Sequence, residues 1–214
     1  MTATTPVTIW GYRDSSNVMK VLWTCAELDI PHELIETGGA RGYDHVPDYA
    51  ARNPNRRVPT IAHEGLVLWE SNVIVRYLCT AFGRGTLWPA EPARRWEAEK
   101  WMDWKQTTLR QPMVALYGGL VRGNPAYRDP AVLAAAREKA AAAWALLDAH
   151  LAGRPYLAGD TLTMADIPPC AEVHRWFGMD IERPHLPHLA AWYGRLAERA
   201  AYRTHVMRPF LGPR

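Results

Sequence analysis

Hydrophobic and polar positions in the first third of the chain follow two different periods. The short apolar runs VTIWGY and HELIET predict strands, and between them VMKVLWTCAELD carries apolar residues at helical spacing. VPTIAHEGLVLW predicts two more strands that turn at His63, Glu64 and Gly65, and SNVIVRYLCTAF predicts another helix. A strand, a helix and a strand in this order predict a βαβ unit with parallel strands, to which the hairpin adds antiparallel strands.

From about Glu91 onward the strand pattern is absent, and helical segments separated by Gly and Pro follow one another. RGTLWPAEP, residues 84–92, predicts a linker. We therefore expect an α/β domain over residues 1–84 and an all-helical domain over residues 92–214.

Two details of the helical part are specific enough to check. Pro112 should kink or interrupt the helix that continues into MVALYGGLV, because proline lacks the N–H that a helix interior needs. Thr163 lies three residues before Asp166, which is capping-box spacing, so we expect a buried helix to start at Thr163.

Composition restricts the class of protein. With 214 residues, 48% hydrophobic and 22% charged, the chain has the balance of an ordered globular protein. No segment reaches membrane-spanning length, and the first residues lack the features of an export signal, so we expect a cytoplasmic protein without a membrane partner. The net charge of +3 is scattered, which argues against nucleic acid. Three widely spaced cysteines predict reduced, buried thiols and no metal site: Cys25, Cys79 and Cys170.

The first candidate site lies where the first strand ends and the first helix begins. Ser15, Ser16 and Asn17 are found there, next to backbone N–H groups and the positive end of the helix dipole, so an anion could bind. Plain N-capping is the alternative, and these residues alone favour it. One serine is enough for a cap, however, which leaves the other polar groups unexplained.

Two further segments carry similar signals. If the Val58–Pro59 bond is cis, the Val58 backbone can pair with an extended peptide, although an ordinary trans proline is the commoner case. Glu70 and Ser71 open the helix after the hairpin, where a carboxylate and helix N–H groups together suit an amino-acid head group. A simple helix cap again remains the alternative.

Together, SSN, NPNRRVPTI, LWESNVIVRYL and LAGDTLTMADI, in this order and spacing, resemble the cytosolic glutathione transferases. The resemblance covers nearly the whole chain and is strongest to the bacterial theta-like, serine-type group, whose first helix follows SxNVxKV. It implies a thioredoxin-like N-terminal domain that binds glutathione, an all-helical C-terminal domain that shapes the pocket for an electrophilic substrate, and a homodimer. Glutathione would be a co-substrate, and no metal is implied.

The resemblance also implies residue roles. Ser15 matches the catalytic serine, which would donate a hydrogen bond to the glutathione thiolate without losing its own proton. The remaining matches would contact parts of glutathione: Asn17 the sulfur, Arg57 the glycyl carboxylate, Val58 the cysteinyl backbone, and Glu70 and Ser71 the γ-glutamyl end. Pro59 matches the family's cis-proline.

Two positions depart from the family pattern, and the electrophile pocket is less well defined. Arg56 stands where many relatives have Gly, and Thr107 lies near where some relatives place an acid that reaches the partner subunit's glutathione. Tyr12, Arg110 and Tyr117 are candidates for lining the electrophile pocket.

The function predicted is conjugation of glutathione to small electrophiles. A glutathione-dependent disulfide reductase and a non-catalytic binding or regulatory protein of the same fold are the alternatives. The absence of cysteine at positions 15–17 argues against a mixed-disulfide mechanism through the protein, and the retained serine and Glu–Ser pair argue against a non-catalytic protein.

Overall fold

The computed structural model of the chain describes residues 5–210, so the outer limits of the two predicted domains, residues 1 and 214, lie outside the described part. Four strands and two longer helices form the first part of the chain, and a short helix lies between the second and third strands. They are β1 (Val7–Gly11), α1 (Ser16–Glu27), β2 (His32–Glu36), α2 (Tyr49–Arg52), β3 (Thr60–His63), β4 (Leu66–Trp69) and α3 (Ser71–Phe82).

The four strands form one sheet in the order β2-β1-β3-β4. Strand β1 pairs parallel with β2 and antiparallel with β3, and β4 completes the hairpin, as the sequence predicts. Helices α1 and α3 cover one face, where their apolar residues pack on those of the strands because burial of both apolar surfaces drives this contact. This arrangement places the first residues of α1 and α3 next to each other.

Within the described residues, the regular elements of the second part are all helices. Its elements are α4 (Pro92–Trp104), a π-helical segment (Lys105–Leu109), α5 (Arg110–Leu120), α6 (Pro130–Leu151), α7 (Cys170–Gly178), α8 (Pro187–Ala197) and α9 (Ala200–His205). Trp144, Trp176 and Trp192 are fully buried in its core. Helix α1 also contacts α7 and α9, so it packs against both parts of the chain.

The interruption expected at Pro112 takes the form of the π-helical segment just before it. Helix α5 then runs through Pro112. The residue four positions before Pro112 is Thr108, inside the π-helical segment, where the regular α-helical bonding pattern is already changed.

The helix expected to start at Thr163 starts instead at Cys170, so that prediction is wrong. Pro168 and Pro169 would fall in the interior of a helix begun at Thr163, where a proline ring clashes with the carbonyl four residues earlier. The Thr163–Asp166 contact does form, since Asp166 Oδ2 accepts from the Thr163 N–H at 3.0 Å. It stabilises a buried turn rather than a helix start.

All three cysteines are buried and unpaired. Among residues 5–210 there is no helix of the length and apolar character needed to cross a membrane. The same residues contain no group of three or more His, Cys, Asp or Glu side chains placed to hold a metal ion.

Candidate active site

Ser15 is the residue immediately before α1, and its side chain does not act as a helix cap. Its backbone is extended (φ −75°, ψ 120°) and its carbonyl accepts the first helical bond from Met19 N–H at 2.9 Å. The hydroxyl makes no capping hydrogen bond, although the residue is only 9% exposed. A nearly buried hydroxyl at a helix N-terminus is therefore available to a ligand.

Asn17 lies in the first turn of α1 and has its side-chain orientation fixed. Its Oδ1 accepts from Lys20 Nζ at 3.0 Å and from Ser71 Oγ at 3.2 Å. Its Nδ2 donates to no other described residue. Since the amide oxygen is occupied by two donors, the amide NH₂ remains for a ligand.

The loop before β3 supplies a second set of free groups. The Val58–Pro59 peptide bond is cis. Neither the N–H nor the C=O of Val58 bonds to any other described residue, so both can pair with another chain. Arg57 is exposed and forms no ion pair within residues 5–210. Arg56 has φ +48°, the left-handed conformation that favours glycine.

Glu70 and Ser71 lie at the start of α3. Glu70 has φ +68°, an uncommon backbone conformation for a non-glycine residue, and its exposed carboxylate forms no ion pair with any described residue. Ser71 is buried and its hydroxyl bonds within the protein, to Asn17 and Lys20. The backbone N–H groups of the first turn of α3 remain to face an anion.

Two adjoining cavities meet at Asn17. The first, of about 340 Å³, is lined by all six residues that the sequence assigns to glutathione: Asn17, Arg57, Val58, Pro59, Glu70 and Ser71. The second, of about 270 Å³, is lined by Ser15 and Asn17 together with residues of α5 and α7. We call them the polar cavity and the aromatic cavity.

The aromatic cavity contains two of the three residues proposed for the electrophile pocket. Tyr12 and Tyr117 line it, whereas Arg110 lies at the polar cavity, so the structure does not support Arg110 in the electrophile pocket. Arg122 and Arg175 also line the aromatic cavity, and the Arg175 guanidinium stacks on Tyr117 at 4.0 Å from the ring centroid. Burial lowers the pKa of Arg175, an effect partly offset by Glu172.

Comparison with known proteins identifies the family. Residues 10–87 match the glutathione S-transferase N-terminal domain and residues 100–200 the C-terminal domain. Glutathione S-transferase GstB of Escherichia coli (strain K12) is 42% identical over 205 residues, which cover 95% of this chain and 99% of that protein. The chain belongs to the glutathione S-transferase family. Its function is that of a glutathione transferase, an enzyme.

Solved structures agree with this assignment. The theta class glutathione S-transferase from Xanthomonas axonopodis pv. citri, solved with glutathione bound, superimposes with a TM-score of 0.90 at 46% identity and covers 96% of this chain and 100% of that one. Glutathione S-transferase 4 of Zea mays is a more distant relative, 28% identical over 93% of this chain and 91% of that protein. The predicted fold, a thioredoxin-like domain followed by an all-helical domain, is thereby confirmed.

The transferase also contains charged residues near the site that sequence reasoning missed. Lys20, Lys105 and Glu172 are fully or almost fully buried, and Lys105 Nζ pairs with Glu172 Oε1 at 2.8 Å. A signal for Lys20 was present in the sequence. VMKVLWTC contains apolar residues on every side of the helix, so its lysine has no solvent-facing position to occupy.

Proposed function

We propose that the enzyme binds glutathione in the polar cavity with its sulfur at the junction with the aromatic cavity, beside Ser15 and Asn17. The observation that carries this proposal is the Ser15 hydroxyl, which is nearly buried at the start of α1 and caps nothing. A hydroxyl donor and a helix N-terminus both favour a thiolate over a thiol. The thiolate would then attack the electrophile and displace a halide or add to a conjugated double bond.

The ends of glutathione fit the charges of the polar cavity. Glu70 offers a carboxylate for the γ-glutamyl ammonium. The N–H groups at the start of α3 face the carboxylate of the same γ-glutamyl group. The free N–H and C=O of Val58 suit the cysteinyl backbone, next to Pro59. Arg57 supplies a cation for the glycyl carboxylate.

The electrophile would bind in the aromatic cavity. Tyr12 belongs to the first part of the chain, whereas Tyr117 and Arg175 belong to the second. We therefore infer a division of labour in which residues 1–84 hold glutathione and residues 92–214 build most of the electrophile pocket. The volume, about 270 Å³, suits a small substrate.

A glutathione-dependent disulfide reductase remains the second candidate within the same fold. A mechanism through a protein thiol has no support in the structure, because all three cysteines are buried. Burial raises the pKa of the Cys25 and Cys170 thiols to about 12, so neither is a thiolate at neutral pH. We expect the enzyme in the cytoplasm, where glutathione and protein thiols are kept reduced.

We also propose a homodimer. Exposed large apolar residues lie on three successive elements, β4, α3 and α4, and include Trp69, Val73 and Trp96, the last 70% exposed. Helices α3 and α4 are joined by Arg76, which donates to Glu99 at 2.6 Å. Apolar side chains exposed on adjoining elements are typical of a surface that a second copy covers.

The direct test is glutathione binding by calorimetry, followed by activity measurements. The activity panel contains aryl halides, haloacids, isothiocyanates and hydroxyethyl disulfide, each with glutathione. Conjugation of any electrophile faster than reduction of the disulfide supports the transferase. Reduction of the disulfide alone would favour the second candidate, and glutathione binding without turnover of any compound would favour a non-catalytic protein.

A further inference from the structure

Lys20 is a buried lysine of α1 whose side chain bonds to two residues of the candidate active site, Asn17 and Ser71. It is 0% exposed, and its Nζ lies within hydrogen-bond distance of three acceptors. These are Asn17 Oδ1 at 3.0 Å, Ser71 Oγ at 3.2 Å and Asn72 Oδ1 at 3.2 Å. Three acceptors match the three donors of an ammonium group, so the geometry fits a protonated lysine.

The acceptors of Lys20 are themselves fixed. Asn72 Nδ2 donates to the Met102 carbonyl at 2.9 Å, which turns its Oδ1 towards Lys20. Asn17 Oδ1 accepts hydrogen bonds from both Lys20 and Ser71. Rotation of the Asn17 amide by half a turn would place its NH₂ against the ammonium, and two groups of donors would then face each other. The ammonium therefore selects the orientation in which Asn17 Nδ2 is left for a ligand.

The charges that act on Lys20 come from the second part of the chain. Lys105, in the π-helical segment, and Glu172 and Cys170, on α7, are the titratable groups that act on it. Burial and the neighbouring Lys105 hold the pKa of Lys20 well below its usual value, whereas Glu172 and Cys170 raise it. Two buried lysines thus share one carboxylate. An anion bound at the start of α1 would balance the second ammonium.

We propose that Lys20 is a positioning residue for the glutathione thiolate, acting through Asn17, whose NH₂ it directs to the junction of the two cavities. This inference rests on the proposed function, since it assumes that the sulfur lies beside Ser15 and Asn17. It adds a residue outside both cavities to the machinery that ionises glutathione. Neither cavity has Lys20 in its lining.

Lys20→Met tests the proposal, because methionine is unbranched, of similar length and uncharged. The pKa of bound glutathione, followed by thiolate ultraviolet absorbance, should rise by about one unit, and kcat/KM at neutral pH should fall about tenfold. The rate should return above the raised pKa. Affinity for S-methylglutathione, which has no ionisable thiol, should change much less than affinity for glutathione. An equal loss of affinity for both ligands would show that Lys20 only supports the fold of the site.

Val21→Ala is the matched control. Val21 is the next residue of α1 and is fully buried in the apolar core formed by the sheet, α1 and α3. This variant loosens the helix packing and should leave the thiol pKa at the wild-type value. A shift as large as that of Lys20→Met would assign the effect to helix packing and overturn the proposal.

A double-mutant cycle tests whether Lys20 acts through Asn17. In an Asn17→Ala background, Lys20→Met should raise the thiol pKa little further, because the group it positions is already gone. Full additivity of the two shifts would overturn the proposal. The wild-type enzyme must bind glutathione and turn over an electrophile for the cycle to be measured, so a failure of the proposed function is recognised separately.

Should Lys20→Met not fold, the wild-type protein still provides a test. The chain contains only four lysines. In lysine-selective NMR, the signal of Lys20 is therefore the one that remains once the signals of the other three are assigned. The titration midpoint of Lys20 should move upwards when glutathione binds and stay in place when S-methylglutathione binds. Equal midpoints in the two complexes would overturn the proposal.

Discussion

Replacing Ser15 with alanine separates a catalytic role from a structural one with little disturbance. The Ser15 carbonyl keeps its bond to Met19 N–H, since the backbone is unchanged. The hydroxyl makes no capping hydrogen bond, so the free energy of unfolding should fall by less than the usual cap contribution of about 1 kcal/mol. Any large effect on the reaction then reflects the lost hydroxyl itself.

The magnitude follows from the type of hydrogen bond that is lost. A hydrogen bond to a charged group contributes about 1.5–3 kcal/mol, which corresponds to a pKa change of about 1–2 units. Without the Ser15 donor the thiolate loses this stabilisation, so the pKa of bound glutathione rises. At a pH below the wild-type pKa the rate should fall about 10- to 100-fold. Above the raised pKa both enzymes hold thiolate, and most of the rate should return.

The assay is a titration of thiolate absorbance in the glutathione complex, together with kcat/KM as a function of pH. Ser16→Ala is the matched control, since it removes the same group one residue further along and should leave the thiol pKa unchanged. Asn17→Ala and the double variant with Ser15→Ala complete the set. A shift in Asn17→Ala without one in Ser15→Ala would transfer the role to Asn17. Unchanged pKa and rate in all of them would refute the reasoning.

Three other changes have definite expected outcomes. Glu70→Ala should weaken glutathione binding more than about tenfold in calorimetry, since the ammonium loses the one acid that the described residues place in the polar cavity lining; unchanged affinity would contradict the assignment. Trp96→Glu should shift the molar mass from light scattering towards the monomer, whereas Leu146→Glu, at another exposed position on α6, should not. Asp166→Ala should lower the free energy of unfolding by about 3 kcal/mol or more in urea, because the Leu157 and Thr163 N–H groups and Trp192 Nε1 lose their acceptor; a loss below about 1 kcal/mol would contradict this.

The agreement between sequence and structure is best where the signal is local. The pattern of SNVIVRYLCTAF predicts helix α3 residue for residue as Ser71–Phe82, because helical spacing of apolar residues depends only on neighbours within two turns. The turn predicted at His63, Glu64 and Gly65 lies at Glu64 and Gly65, because His63 is the last residue of β3. The local rule failed at Thr163, where the capping-box spacing is used by a buried turn and two prolines delay the helix to Cys170.

The sequence also contained the residues of the candidate site, but not their arrangement. It indicated that Ser15, Val58 and Glu70 each stand at the start of an element, where backbone groups are free. Only the folded chain brings Val58 and Glu70 to the polar cavity and places Asn17 between that cavity and the aromatic cavity. The orientation of the Asn17 amide depends on Lys20 and Ser71, which a sequence pattern cannot place.

What the sequence by itself determined is the order and type of the longer elements, the family, and the chemical groups available at the starts of α1 and α3. What only the tertiary structure decided is which charges are removed from water. Lys20 lies 51 residues from Ser71 in sequence, yet their side chains bond, and Lys105 meets Glu172 in the interior. Burial of a charge requires partners from several elements at once, and periodicity along one segment carries no information about those partners.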